Sequence, residues 1–506
     1  MQGIDRGWIA TALVLLALMA LPASAMEPAS SANTSDDTTR LDTATAERLQ
    51  ALADRAVELD EGGDLPGVAA AYDALIADPA LPQVPLELRR MVYSRAAAVA
   101  LEQGDNPKSR DLYLQAITAN SADRDDWASL AWIEYVLGEN DAAAAHLAEY
   151  ARRWPVALDD LDDAFVFQLL GALEEDGSPR LDLLQSLASA DWNRRGLGAD
   201  YLWFELALRR VQRGEQDLAR AAIQHVSTPR ELVQLRSDRR FDGLFDPQSA
   251  RFDVALAAQR RFDRLAALSA KDPHNLELAS EVAGALGIVG GFDRIVTLVD
   301  TTLRGNPADF TYSDNQVWLL NSKATALQQL GRFKEAVALM QRASEMSERG
   351  SGNVSQSINL GEMRCGMGEW KRALAAVKGL ENMSDYGQVA MQSVVHCARL
   401  QQGNSAAARQ ALEYLHQNRS LSASLYVTAL LRESRLDDAA AALVEALDSP
   451  QERADTLVMV QDFRPQRSLP ADVANEERWE ALMRREDVRA AIDRVGRSQH
   501  YDIQQP

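Results

Sequence analysis

The chain has 506 residues, a net charge of −21 and only two cysteines. Nucleic acids and anionic lipids both call for a basic surface, so this balance argues against either as the main ligand. Hydrophobic residues make up 46% of the chain, enough to build cores, but the length is too great for a single compact one.

Residues 8–21, WIATALVLLALMAL, form an uncharged apolar run behind Arg6. The run is shorter than the roughly 17–25 residues of a membrane span. Ala23, Ser24 and Ala25 follow it as small residues suited to signal peptidase. Residues 1–25 are therefore expected to be a signal peptide, with a mature chain starting at Met26 in the periplasm or outside the cell. The alternative is an uncleaved segment anchored in the inner membrane. Residues 26–45 are rich in Ser, Thr and Asp without apolar periodicity, and read as a flexible linker.

From residue 46 helical spacing takes over. Leu49, Leu52, Ala56 and Leu59 share one stripe, Gly62 and Gly63 stop it, and Tyr72 and Leu75 carry a second stripe. Residues 86–120 repeat the plan around Gly104, with Tyr113 and Ala116. Residues 126–155 repeat it around Gly138, with Trp127, Leu130, Ala143 and Leu147. A looser hairpin over 159–190 turns at Gly177, Ser178 and Pro179, and residues 200–229 return to form around Gly214. The spacing then breaks. Residues 231–247, ELVQLRSDRRFDGLFDP, gather Leu235, Phe241, Leu244 and Phe245 in a segment that reads as the close of a first array over 46–247.

The pattern resumes at 276–307 around Gly290 and is clearest over 312–347. There Val317, Leu320, Ala324, Leu327 and Leu330 form one helical stripe, and Phe333, Ala336, Val337, Met340 and Ala343 a second. Gly331 separates them, because glycine takes a left-handed helix end at least cost. The frame recurs at Gly368 with Trp370 and Ala373, at Gly403 with Ala408, and at Ser434 with Ala439. A second array is expected over 248–450. Residues 451–506 would supply capping helices and a tail, with Leu482, Val488 and Ile492 echoing the earlier closing segment.

This unit of about 34 residues resembles a tetratricopeptide repeat. The likeness rests on the glycine, the aromatic two residues later and the small residue five later, with Leu360 and Gly361 matching the family's Leu-Gly pair in its first helix. It implies an all-α fold, an α-solenoid of antiparallel helix hairpins in one or two arrays. It also implies a concave wall built from the first helix of each hairpin. On that wall the frame puts Trp132 and Tyr135 in the N-terminal array. In the C-terminal array it puts Asn321, Thr325, Gln328 and Glu362, which are polar groups able to hold an extended peptide. The family's carboxylate clamp needs Lys, Arg and Asn at set inner positions, and this chain departs from it. The frame also places Cys365 and Cys397 on neighbouring first helices. Two readings stand for them: a disulfide closed in an oxidising compartment, or two small buried side chains.

Enzyme signatures are absent. The histidines, His146, His225, His274, His396, His416 and His500, show no HExxH or other close ligand spacing, and there is no GxSxG or GxxxxGK[ST]. Asp159, Asp160, Asp162 and Asp163 lack the central Gly and distal Glu of a calcium loop, and read as carboxylates opening a helix. The expectation is a non-enzymatic scaffold without cofactor or metal that binds proteins or extended peptides, with no nucleic acid and no direct lipid binding. An accessory subunit of an envelope polysaccharide synthesis or export complex is the alternative.

Overall fold

The computed structural model describes residues 41–120, 123–194, 197–304, 314–347 and 352–506. The expected signal peptide and most of the expected linker lie outside them. The linker ends earlier than its composition suggested. Asp42 caps α1 (Thr43–Glu61) by accepting from the Thr45 amide, so the first helical turn falls inside 26–45.

The described residues form an all-α fold of helix hairpins, and the chain divides between Arg194 and Arg195 into two compact units. In the first, α1 pairs with α2 (Leu65–Ile76), α3 (Leu86–Glu102) with α4 (Asn106–Ala119), and α5 (Arg124–Val136) with α6 (Asn140–Arg153). Leu49, Val68, Leu88, Val99, Leu130 and Ile133 join these hairpins into a continuous core. The looser hairpin takes a different form. Its helices α7 (Asp163–Ala172) and α8 (Ser178–Ser189) both pack on α6. Gly177 between them is extended, with φ −67°, and provides no left-handed reversal.

The second unit opens with α9 (Asp200–Gln212) and α10 (Gln216–Ile223), then α11 (Pro229–Ser237) and α12 (Val254–Lys271). Paired helices follow: α13 (Leu276–Ile288) with α14 (Phe292–Thr302), α15 (Asp314–Gln329) with α16 (Phe333–Ser344), and α17 (Val354–Gly366) with α18 (Trp370–Ala376). Next come α19 (Asp385–Gln401) with α20 (Ser405–Gln417) and α21 (Ala423–Arg432) with α22 (Leu436–Asp448). Helices α23 (Arg453–Met459), α24 (Val473–Met483) and α25 (Glu486–Val495) end the helical part.

One device makes most of the hairpins. Gly63, Gly104, Gly138, Gly214, Gly290, Gly331, Gly368 and Gly403 take φ between 72° and 81° at the reversal, and Ser434 takes 61° at the equivalent place. Five residues further on, Ala143, Ala219, Ala336, Ala373, Ala408 and Ala439 are at most 1% exposed. Such a closely packed crossing favours a small side chain, and Val68, Ser109 and Ile295 hold the same place, also buried, in the other three hairpins.

The segment expected to close a first array belongs to the second unit instead. Phe241 is fully buried and packs on Phe204 of α9 at 5.5 Å between ring centroids. Residues 237–238 then meet the C-terminal region: Asp238 and Gly496 form an antiparallel bridge, and the Arg497 amide donates to the Ser237 carbonyl at 2.9 Å. Helix α23 packs on both α22 and α11, and Asp455 accepts from Arg230 and Gln234 of α11 at 2.8 and 3.0 Å. The second unit thus closes on itself. Its two apolar ends cover each other, which removes the need for a separate boundary near Pro247. Leu482, Val488 and Ile492 of α24 and α25 complete the core of α21 and α22.

Candidate functional site

Helix α15 buries Val317, Leu320, Ala324 and Leu327, which turns Asn321, Thr325 and Gln328 away from its core. The three do not present one open surface. Asn321 accepts from Asn359 Nδ2 of α17 at 3.0 Å, a bond between neighbouring repeats. Thr325 is exposed and lines a cavity of about 500 Å³ with Ser322 and Gln329 of its own helix, Ser280, Glu281 and Gly284 of α13, and residues 504–506. The Gln328 amide reaches the Arg467 carbonyl at 3.5 Å. Water also reaches Glu362 of α17. Protein atoms packed around its carboxyl partly desolvate it and hold it above the ordinary 4.5, with Arg432 opposing the rise and Asp472 adding to it.

The C-terminal part of the chain therefore lies along the wall that was expected to be open. Strand β1 (Asp462–Phe463) pairs in parallel with β2 (His500–Tyr501), and the Arg464 amide donates to the Ile503 carbonyl at 2.9 Å. From there the chain crosses the ends of three successive first helices. Arg464 Nη1 donates to the Val289 carbonyl at the end of α13 at 3.3 Å. Arg467 donates through Nε to the Gln329 carbonyl at the end of α15 at 3.1 Å, and through its amide to the Gln329 side chain at 2.8 Å. The Ala471 amide donates to the Gly366 carbonyl at the end of α17 at 2.7 Å. Separately, the Gln504 amide donates to the Ile288 carbonyl at 2.8 Å.

These carbonyls belong to the last turns of their helices, which have no acceptor role inside the helix and carry the negative end of its dipole. Two guanidinium groups and a backbone amide are suitable partners. The left-handed glycines help: the Arg464 guanidinium lies against Gly290 and that of Arg467 against Gly331, where a β-carbon would meet them at 3.5 and 3.4 Å. Leu469 packs against Gly366 in the same way and is the one buried side chain between residues 464 and 472.

In the first unit Trp132 is half-buried against the core shared by α1 to α5. Tyr135 packs on Phe165 of α7 at 5.8 Å between ring centroids. Both side chains join one hairpin to its neighbours. Cys365 and Cys397 are buried and bonded to each other, with Cα atoms 6.3 Å apart on α17 and α19. Asp162 caps α7 by accepting from the Ala164 amide, Asp163 pairs with Arg194 at 2.9 Å, and Asp160 pairs with Arg124 at 3.0 Å. These acidic residues thus open a helix and bridge neighbours. His396 is fully buried and bonds Glu433 at 3.1 Å. Burial pushes its imidazole below the ordinary range, with Glu433 opposing the shift.

No family model and no curated protein sequence matches the chain. Solved structures do. A tetratricopeptide repeat protein from Parabacteroides merdae ATCC 43184 is 11% identical, over 60% of this chain and 94% of its own, with a TM-score of 0.26. Yeast Tom70 is 10% identical, over 86% of this chain and 96% of its own, with a TM-score of 0.29. The APC/C hetero-tetramer Cut9-Hcn1 is 14% identical, over 88% of this chain and 85% of its own, with a TM-score of 0.34. Superpositions this loose carry no argument, so the functional reading rests on this chain's own geometry.

Proposed function

We infer that the chain is a non-enzymatic repeat scaffold that binds a protein partner through an extended segment laid along the first helices of the second unit. One observation carries the reading: residues 464–472 already lie across the ends of α13, α15 and α17, held by carbonyls that any extended chain with suitable donors can use. The partner works in the cell envelope, after export of the mature chain from Met26. The buried pair Cys365 and Cys397 supports this compartment, because a bonded pair persists where the surroundings oxidise.

Capture of partners from cell-envelope extracts tests the scaffold role. Replacing Asn321, Thr325 and Gln328 together by Ala suits α15, since Ala is the better helix former. The expected result is loss of captured partners with unchanged circular dichroism. The variant removes the Gln328 contact to the segment's backbone and leaves the carbonyls in place. A variant that keeps every partner of the parent would therefore reject a role for these side chains, and capture of no partner by the parent would refute the scaffold. N-terminal sequencing of envelope material tests the export: a start at Met1 in carbonate-resistant membranes would replace it by an anchored chain.

A further inference from the structure

We propose that residues 464–472 are an internal stand-in for the partner, and that the partner's segment carries the same chemistry: two arginines three residues apart, then a leucine two residues further on. This rests on the scaffold reading and names what the scaffold takes.

The spacing follows from geometry. Successive first helices end in a row, and packed helices lie 8–10 Å apart. An extended chain rises 3.2–3.4 Å per residue, so three to four residues, or about 10–13 Å, carry it from one helix end to the next. The anchoring groups follow that step from Arg464 on Val289 to Arg467 on Gln329. Beyond Leu469 the chain turns, with the Asp472 amide donating to the Leu469 carbonyl at 2.9 Å, and from that turn the Ala471 amide meets Gly366. Each helix end carries negative partial charge and unfilled carbonyl oxygens, which select a cation or an N–H donor and disfavour a carboxylate. Leu469 enters the space that Gly366 leaves by having no side chain. The chain's net charge of −21 draws basic segments toward it over longer range.

The segment is also held lightly enough to be exchanged. Pro465, Gln466, Arg467, Pro470 and Ala471 are exposed, and Leu469 is the single buried anchor. Arg464 is the firmer end, through its amide on the Ile503 carbonyl at 2.9 Å and its Nε on Asp502 at 2.6 Å. Residues 500–503 beside it are fixed more firmly, by β pairing and the buried Tyr501 and Ile503. A tethered segment acts at an effective concentration of about millimolar. Weak contacts therefore keep the wall covered until a better-matched segment arrives.

The test uses a fluorescent peptide of residues 463–472, FRPQRSLPAD. It is titrated by polarisation against the full chain and against the variant Arg464→Ala, Arg467→Ala, Leu469→Ala. Saturable binding to the variant, about ten-fold or more tighter than to the parent, is expected. A peptide with both arginines replaced by Ala should lose it. A variant with parent-like circular dichroism that does not take up the peptide overturns the proposal. If the variant fails to fold, the parent answers by hydrogen exchange. About millimolar peptide, the effective concentration of the tether, should speed exchange across residues 464–472, and unchanged exchange overturns the idea. Partner capture from extracts keeps the two readings apart. Partners lost by the Asn321, Thr325 and Gln328 variant, with no peptide entering, leave the scaffold and remove the stand-in. Peptide binding without any captured partner shows an exchangeable segment but removes the scaffold, and the stand-in for a partner falls with it.

Discussion

Changing glycine to alanine inside a helix normally helps, by roughly 0.5–1 kcal/mol, because glycine loses more backbone freedom on folding. Gly284 in α13 and Gly361 in α17 should respond with opposite signs. A β-carbon on Gly284 meets nothing within 4 Å, so Gly284→Ala should gain the helix benefit in full. On Gly361 it would stand 2.8 Å from Val394 Cγ1 and 3.0 Å from Val377 Cγ1. Carbon atoms pack best at about 3.5–4.0 Å, so the added methyl intrudes by roughly half an ångström or more. Neither valine can yield by rotation, because a β-branched side chain has few χ1 positions to choose from. Helix α17 must then move from α18 and α19, and overpacking of that kind costs about 1–3 kcal/mol. After the helix gain is subtracted, Gly361→Ala should destabilise by about 0–2.5 kcal/mol. Thermal or urea melting of the full chain, followed by far-UV circular dichroism, reads both variants. A Gly361→Ala protein that melts above the parent, as Gly284→Ala should, would refute the packing of α17 against α18 and α19.

Ser434 holds φ 61° in an exposed reversal where the other hairpins use glycine; Ser434→Gly should raise stability by about 0.5–1 kcal/mol, read by the same melting. The Cys365–Cys397 bond closes a loop with a sequence separation of 32, so the double change to Ser should cost about 3–4 kcal/mol in the chain-entropy account; equal melting of parent and variant under oxidising conditions would mean the bond is not formed. Glu362 has a carboxyl raised above 4.5, chiefly by desolvation. The folded state thus holds that proton more tightly than the unfolded one, and the stabilisation present below 4.5 is lost as pH rises through the raised folded value. Glu362→Gln should therefore melt above the parent near pH 7 and together with it near pH 3, and a constant difference across that range would reject the desolvated setting of Glu362.

The hairpins were legible in the sequence because their causes are local. Helical stripes such as Leu320, Ala324 and Leu327 need only neighbours three and four apart, and a reversal such as Gly331 needs only a residue that tolerates positive φ. The small residues at close crossings, Ala336 and Ala373 among them, follow from the same frame. Side-chain identity at Asn321, Thr325 and Gln328 also separated the polar side of α15 from its core side.

What covers that face was decided by tertiary structure alone. Residues 464–469 belong to no helix or strand and 470–472 turn into α24, so the segment carries no periodicity, and its partners on α13 and α15 stand about a hundred and forty residues or more away in sequence. Pro465 and Pro470 mark the segment as non-helical, but nothing local says where it docks. The same holds for the meeting of Ser237 and Asp238 with residues 496–497, which brings the 231–247 segment into the second unit. The repeat frame put Trp132 and Tyr135 on the inner wall, yet their surroundings belong to neighbouring hairpins. A repeat pattern fixes the conformation of each unit, since that depends on local dihedral preference and burial. Which unit or strand covers an exposed stripe depends on contacts distant in sequence, and the energy of those contacts exists only once the chain has closed.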